Sequence, residues 1–168
     1  MQTTSNIVLI VTTFLAALMA GLFFAYSCSV SPGLASLSDK EFVSAMQYIN
    51  RAIQNPVFFT VFFGILIALP ICAYLHYHQP VSLRFWLILF AALIYGVGVF
   101  GITAMCNVPL NEALDKFDAL SATAEEISRQ RAKFEMPWNN WNLIRTLASA
   151  IAAILLIGAC ATDSAKGG

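Results

Sequence analysis

Four apolar stretches, at about 7–30, 56–77, 83–106 and 141–161, are each long enough to cross the ~30 Å hydrocarbon core of a bilayer as an α-helix. Between them they hold two charged side chains, Arg84 at an edge and Arg145 about one turn inside. The chain is 168 residues long, 59% hydrophobic and 11% charged, against roughly 45–50% and 25% in soluble domains. It is therefore read as an all-α membrane protein, a single-domain antiparallel bundle of four transmembrane helices over residues 1–168. Such a protein is multi-pass, is expected in the plasma or inner membrane and has lipid as its first partner. A formal net charge of zero with no block of like charges gives no footprint for nucleic acid. The first apolar run exceeds the core of a signal peptide and follows no Lys or Arg, so it is expected to be a retained span.

Punctuation between the runs predicts the connections. Ser31-Pro32-Gly33 should end span one, and Ser38-Asp39-Lys40-Glu41 reads as a capping box opening a short helix. In that helix Phe42, Ala45, Met46 and Ile49 recur at helical spacing, as in an amphipathic segment lying at the interface. Asn55 should cap span two, with Pro56 at its first position and Pro70 kinking its interior. The turn from His76 to Ser82 is short enough to make spans two and three antiparallel neighbours. Gly96, Gly98 and Gly101 in span three should let another helix approach closely. Residues 107–140 form the long connection, with Pro109 as a restart and one or two short helices over the bundle mouth. Lys40, Arg51, Lys116, Arg129, Arg131 and Lys133 lie on the side of the two longer loops, against Arg84 and Lys166 on the other. The positive-inside rule then places the longer loops in the cytoplasm.

Cys28, Cys72, Cys106 and Cys160 fall one per span with no metal-type spacing, and are expected to be free thiols. His76 and His78 read as interfacial side chains, since their i, i+2 spacing does not converge on one metal. No H-E-x-x-H, carboxylate pair, G-x-G-x-x-G or acid/base triad is present, so metal hydrolysis, dinucleotide binding and acyl transfer lack the residues they need.

Polar side chains collect instead at the end bearing the longer loops. Asn50, Gln54 and Asn55 precede span two, Thr103, Asn107 and Asn111 leave span three at i, i+4, i+8, and Trp138, Asn139, Asn140, Trp141, Asn142 and Arg145 enter span four. An arginine inside a span costs several kcal/mol unless it snorkels or finds a partner. Two readings stay open for Arg145: an interfacial arginine beside Trp138 and Trp141, or a buried charge facing a loop carboxylate such as Glu112 or Asp115, an amide oxygen or a ligand. The asparagines are likewise open between capping with interhelical bonding and ligand contact.

Several strings here resemble one known family. They are Gly21 with Phe23-Phe24-Ala25; Phe42 with Ala45-Met46-Gln47-Tyr48-Ile49-Asn50 before Asn55-Pro56 and Phe58; Thr103-Ala104-Met105-Cys106-Asn107-Val108-Pro109-Leu110-Asn111; and Trp138-Asn139-Asn140-Trp141-Asn142-Leu143-Ile144-Arg145. Together they are similar to the small integral membrane proteins named after fungal anthrone oxygenases. The resemblance implies a four-span bundle and, for characterised fungal members, oxidation of an anthrone by O2 to an anthraquinone; another flat phenol or quinone-like ligand remains equally open. An anthrone ionises to an electron-rich enolate able to reduce O2 directly, so no cofactor is expected. Arg145, Asn107, Asn111 and the indole of Trp141 would then stabilise the enolate as catalytic donors. Asn50, Asn55, Thr103, Trp138 and Asn142 would bind the small lipophilic aromatic, with Glu112 or Asp115 nearest to accept its proton. The competing expectations are a non-enzymatic protein that binds or transports an amphipathic ligand, and a structural subunit packing through span three. Homo-oligomers are also possible.

Overall fold

The structure, a computed structural model, describes residues 2–162. Four long helices are apolar enough to cross a membrane: Thr3–Ala35, Pro56–Leu75, Leu83–Asp115 and Ala124–Ala161. We label the helices in chain order. α1 is Gln2–Ala25, prolonged through a π-helical turn, Tyr26–Val30, into Ser31–Ala35. α2 is the short Asp39–Ala52 and α3 is Pro56–Leu75. α4 is Leu83–Ile94, prolonged through π-helical Tyr95–Gly101 and Thr103–Asn107 into Val108–Asp115, and α5 is Ala124–Ala161. Around the bundle α1 packs on α3, α3 on α4, α4 on α5 and α5 on α1, so chain neighbours alternate in direction.

Two expected breaks are not breaks. At Ser31-Pro32 and at Val108-Pro109 the helix passes straight through the proline, and in both cases a π-helical turn comes immediately before it. There the amide of Ser31 donates to the Tyr26 carbonyl and that of Val108 to the Thr103 carbonyl, each five residues back. Proline disrupts a helix because its ring meets the carbonyl four residues back and it has no N–H to donate. A widened turn just before the ring re-registers those carbonyls, so the helix survives. The helical character expected for 107–140 is present, but continuations of α4 and α5 carry it, leaving a linker of only 116–123. The 38-residue α5 is long because its first turns need no bilayer. Thr123 and Glu126 form a capping box, and Glu125 with Arg129 and Arg131 with Glu135 pair at i, i+4. α3 is likewise continuous through Pro70.

The interior divides into two parts. Within the bundle, Leu9, Met19, Ile65, Leu69, Ile88 and Leu156 are buried together. Beyond it, Phe42, Val43 and Met46 of α2 meet Leu114, Ile127 and Phe134 on the extensions of α4 and α5. α2 is thus the floor of a small cap rather than a helix lying on lipid alone. Gln47 fastens it by donating to the carbonyls of Leu114 and Phe117, both at 2.8 Å. Arg131 reaches back to Asp39 Oδ1 (3.0 Å) and to the Leu37 carbonyl (2.8 Å), with its guanidinium 4.5 Å over the Phe42 ring. At the opposite end Arg84 ties α4 to both other chain segments there, donating to Asn6 Oδ1 and to the Thr162 carbonyl.

The expected capping box opens α2: the Glu41 carboxylate accepts from the Ser38 amide at 3.0 Å and from its hydroxyl at 2.6 Å. Those bonds, the hydroxyl's first, hold the Glu41 carboxyl below its ordinary range. Asp118 in the 116–123 linker is held down in the same way, by the Ser121 hydroxyl and then by the Leu120 amide. A depressed folded pKa means that the contribution is present above the ordinary carboxylate range and lost as pH falls through the folded value. Amide hydrogen exchange should therefore show the first turn of α2 losing protection in acid while the buried spans do not respond. Glu41→Gln should remove that pH dependence locally.

Candidate functional site

Most of the polar residues singled out at the cap end converge. α1, α3, α4 and α5 surround a partly open chamber of about 540 Å³, bordered at the cap end by Asn50 of α2 and by Ile53 and Gln54 after it, a volume in the range of small-molecule sites. Its walls are largely aromatic. Phe58 and Phe62 of α3 stack with centroids 5.3 Å apart, and Tyr26 of α1 lies 5.6 Å from Trp138 of α5.

Arg145 lies deep in this chamber and is only 6% exposed. Its Nη2 donates to Asn142 Oδ1 at 2.9 Å and its Nη1 to Thr103 Oγ1 at 3.3 Å, while its Nε is buried without a partner. The guanidinium lies over two rings, 4.6 Å from the Phe23 centroid and 5.4 Å from that of Trp138. Among the described residues no carboxylate forms an ion pair with it. Of the partners open to it, the structure supplies an amide oxygen. Glu112 and Asp115 line the chamber, but the Asp115 carboxylate is paired with Arg51 at 2.6 Å.

A second layer of bonds holds this arrangement. Asn142 Nδ2 donates to Ser27 Oγ at 2.9 Å, which leaves its Oδ1 aimed at Arg145. The Thr146 hydroxyl shares a bond with Ser27 (2.9 Å), and the Thr103 hydroxyl donates to the Val99 carbonyl, leaving its lone pairs for the guanidinium. Cation–π contact and neutral acceptors compensate a buried cation only in part. The chamber wall carries Glu112 and Asp115 as well as Lys116 and Arg145, so the uncompensated charge is local to the buried guanidinium, where an anionic or electron-rich group would meet it.

Of the residues singled out in the sequence, Arg145, Asn111, Asn50, Thr103, Trp138 and Asn142 line the chamber. Asn107, Trp141 and Asn55 do not. Asn107 is fully buried behind the wall, its Nδ2 donating to the Trp138 carbonyl at 3.4 Å and its Oδ1 unpartnered. Asn55 is the N-cap of α3, its Oδ1 accepting from the Phe58 amide at 3.0 Å. Trp141 sits about 60° further round α5 from Trp138 and turns to the half-exposed flank. The chamber-facing side of α5 is the i, i+4, i+7 set of Trp138, Asn142 and Arg145. The indole that faces the chamber is that of Trp138 rather than Trp141, and its Nε1 donates to Asn111 Oδ1 at 2.8 Å. Asn111 thus keeps its amide NH2 without a partner among the described residues.

Tyr26 and Phe23 are chamber residues that polarity alone did not single out. Their i, i+3 spacing on span one was the available signal, hidden among the apolar residues around them. The four cysteines are free. His76 is buried at the far end of the bundle, its Nδ1 2.9 Å from the Cys72 carbonyl. Among the described residues no three His, Cys, Asp or Glu side chains gather as a metal site.

The family model described as anthrone oxygenase matches residues 58–155, a stretch running from the Phe58 wall through α4 and the Trp138, Asn142 and Arg145 face. No curated protein and no solved structure matches the chain.

Proposed function

The chain belongs to the anthrone oxygenase family, and from that premise we propose that it oxidises a flat, lipophilic hydroxyaromatic of the anthrone class with O2 inside the aromatic chamber. The observation carrying this reading is Arg145: a buried guanidinium with no carboxylate partner among the described residues, set in a chamber of about 540 Å³ walled by aromatic rings. An ionic ligand group would complete such a site, and the enolate of an anthrone is one.

In this reading the substrate lies against Phe58 and Phe62 with its carbonyl oxygen towards Arg145. Loss of the benzylic proton puts negative charge on that oxygen, and the guanidinium, fixed beforehand by Asn142 and Thr103, stabilises it without reorganising. Glu112, which lines the chamber and is exposed, would accept the proton. The enolate passes one electron to O2, and the resulting radical and superoxide combine to a carbon-bound peroxide anion, which takes the proton back from Glu112 to become the hydroperoxide. Loss of water from that hydroperoxide gives the new carbonyl. Anthrone and O2 thus become anthraquinone and water, with one oxygen atom retained, and the electrons balance without a further reductant.

The test uses the purified protein in lipid nanodiscs with a hydroxylated anthrone. Uptake of one O2 per anthrone, above spontaneous autoxidation and with one atom of 18O2 in the quinone, is expected. Saturable binding with no O2 uptake above the protein-free rate would replace the oxygenase reading with a carrier.

A further inference from the structure

We propose that the chamber is loaded sideways from the bilayer, through a slot between α3 and α4, by a planar hydroxyaromatic dissolved in the lipid. This proposal rests on the occupied-chamber reading above and adds to it where the ligand comes from.

The two helices are close only over part of their length. Next to the short turn they pack directly, and the Tyr95 hydroxyl donates to the Phe62 carbonyl at 3.0 Å. Beyond that bond Phe100 of α4 still meets Phe62 and Phe63, with ring centroids 5.7 and 6.0 Å apart. Past Phe100 the π-helical Thr103–Asn107 stretch packs mainly against α5, leaving a gap on its α3 side. The side chains on the two edges of the resulting gap belong to the chamber wall and to the outer surface at once. Phe59 and Phe63 on α3 line the chamber and are 39% and 43% exposed; across the gap Val108 is 39% exposed and Ala104 is also exposed.

Every one of these side chains is apolar, whereas the aqueous rim carries Gln54, Glu112 and Lys116. A slot edged by phenylalanine, alanine and valine has no group to offer a hydrated solute. Flat aromatic faces have stacking partners throughout, from Phe59 and Phe63 inward to Phe62. The polar edge of the same ligand meets no polar side chain at the slot itself, and finds Asn111, Thr103 and Arg145 only inside the chamber. This order of contacts, apolar at the entrance and cationic at the end, fits an amphipathic aromatic arriving ring-first from lipid. It does not fit an ion or sugar arriving from water.

A dihydroxyanthraquinone tests this without turnover, since it is already at the product oxidation level and quenches tryptophan fluorescence. Its association with the protein in nanodiscs would be followed by stopped flow. Ala104→Phe, which narrows the slot, should slow association and dissociation together by about tenfold or more while changing Kd little. Phe63→Ala should speed both, and keeps the test open if the first variant folds poorly. Lys116→Phe on the aqueous rim should leave both rates near wild type. Slow exchange in Lys116→Phe with wild-type rates in both slot variants would overturn lateral loading in favour of entry from water. Absence of binding by the wild-type protein would remove the occupied-chamber reading itself, and this inference with it.

Discussion

Arg145→Gln is expected to lower kcat for O2-dependent anthrone oxidation by a factor of about 100 to 1,000, the usual cost of removing a preorganised donor from a developing oxyanion. Glutamine is two bonds shorter than arginine but keeps a neutral amide donor on the same face, so a polar group still points towards Asn142 and Thr103. What disappears is the charge. Because that charge is buried with only neutral acceptors and ring faces around it, its removal should leave thermal stability unchanged or raise it. Activity and stability therefore move apart, which a structural arginine would not produce. Arg145→Lys should recover only part of the rate, because one ammonium cannot hold Thr103 and Asn142 in the planar fork that guanidinium uses. Wild-type O2 uptake in Arg145→Gln would end the enolate-stabilising role, and a parallel collapse of the melting temperature would reassign the residue to the core.

The second large effect is on assembly of the bundle. A Cβ built on Gly98 would stand 2.7 Å from the Cβ of Ala148, inside van der Waals contact and against an atom that cannot swing away. Helices α4 and α5 can meet here only with hydrogen at this position. Gly98→Ala should cost about 1–3 kcal/mol despite alanine's better helix propensity, and Gly98→Leu more, through overpacking. Adding Ala148→Gly to Gly98→Ala should restore most of the loss, since the pair exchanges which helix carries the methyl. Gly96→Ala is the control, because a Cβ there meets nothing within 4 Å. Unfolding midpoints in detergent or bicelles give the comparison; equal effects at the two glycines would show that close approach is not what Gly98 provides.

The sequence was readable where one physical cost dominates. Apolar length against the bilayer set the four helices, and the cost of burying Arg145 forced a polar neighbourhood that the structure supplies in Asn142 and Thr103. Three glycines suggested a close contact, and the packing uses Gly98 alone. Asn55 did what an asparagine before a proline does, and no more. Legibility failed where two local rules compete. Proline at 32 and 109 argued for breaks, but a π-helical turn before each ring removes the clash, and no residue type announces such a turn. On α4 the same kind of turn upsets counting by helical period, and Asn107 drops out of the i, i+4, i+8 row that Thr103 and Asn111 keep. Trp141 looked as close to Arg145 as Trp138 on spacing, and only the packing of α5 against its neighbours decides which indole faces inward. Tyr26 was hidden for the complementary reason, since an aromatic in a membrane helix is unremarkable until something polar lies opposite it.

The 20-residue α3 rises about 30 Å, the thickness of one hydrocarbon core, so it acts as a ruler for depth. Measured along it, Phe58 to Phe63 occupy the first two turns below one membrane surface. That stratum, where acyl chains give way to glycerol and headgroups, is where molecules with an oily body and a hydroxylated rim settle from solution. The bilayer itself would hold such compounds, already concentrated and aligned, at the height of the phenylalanine wall.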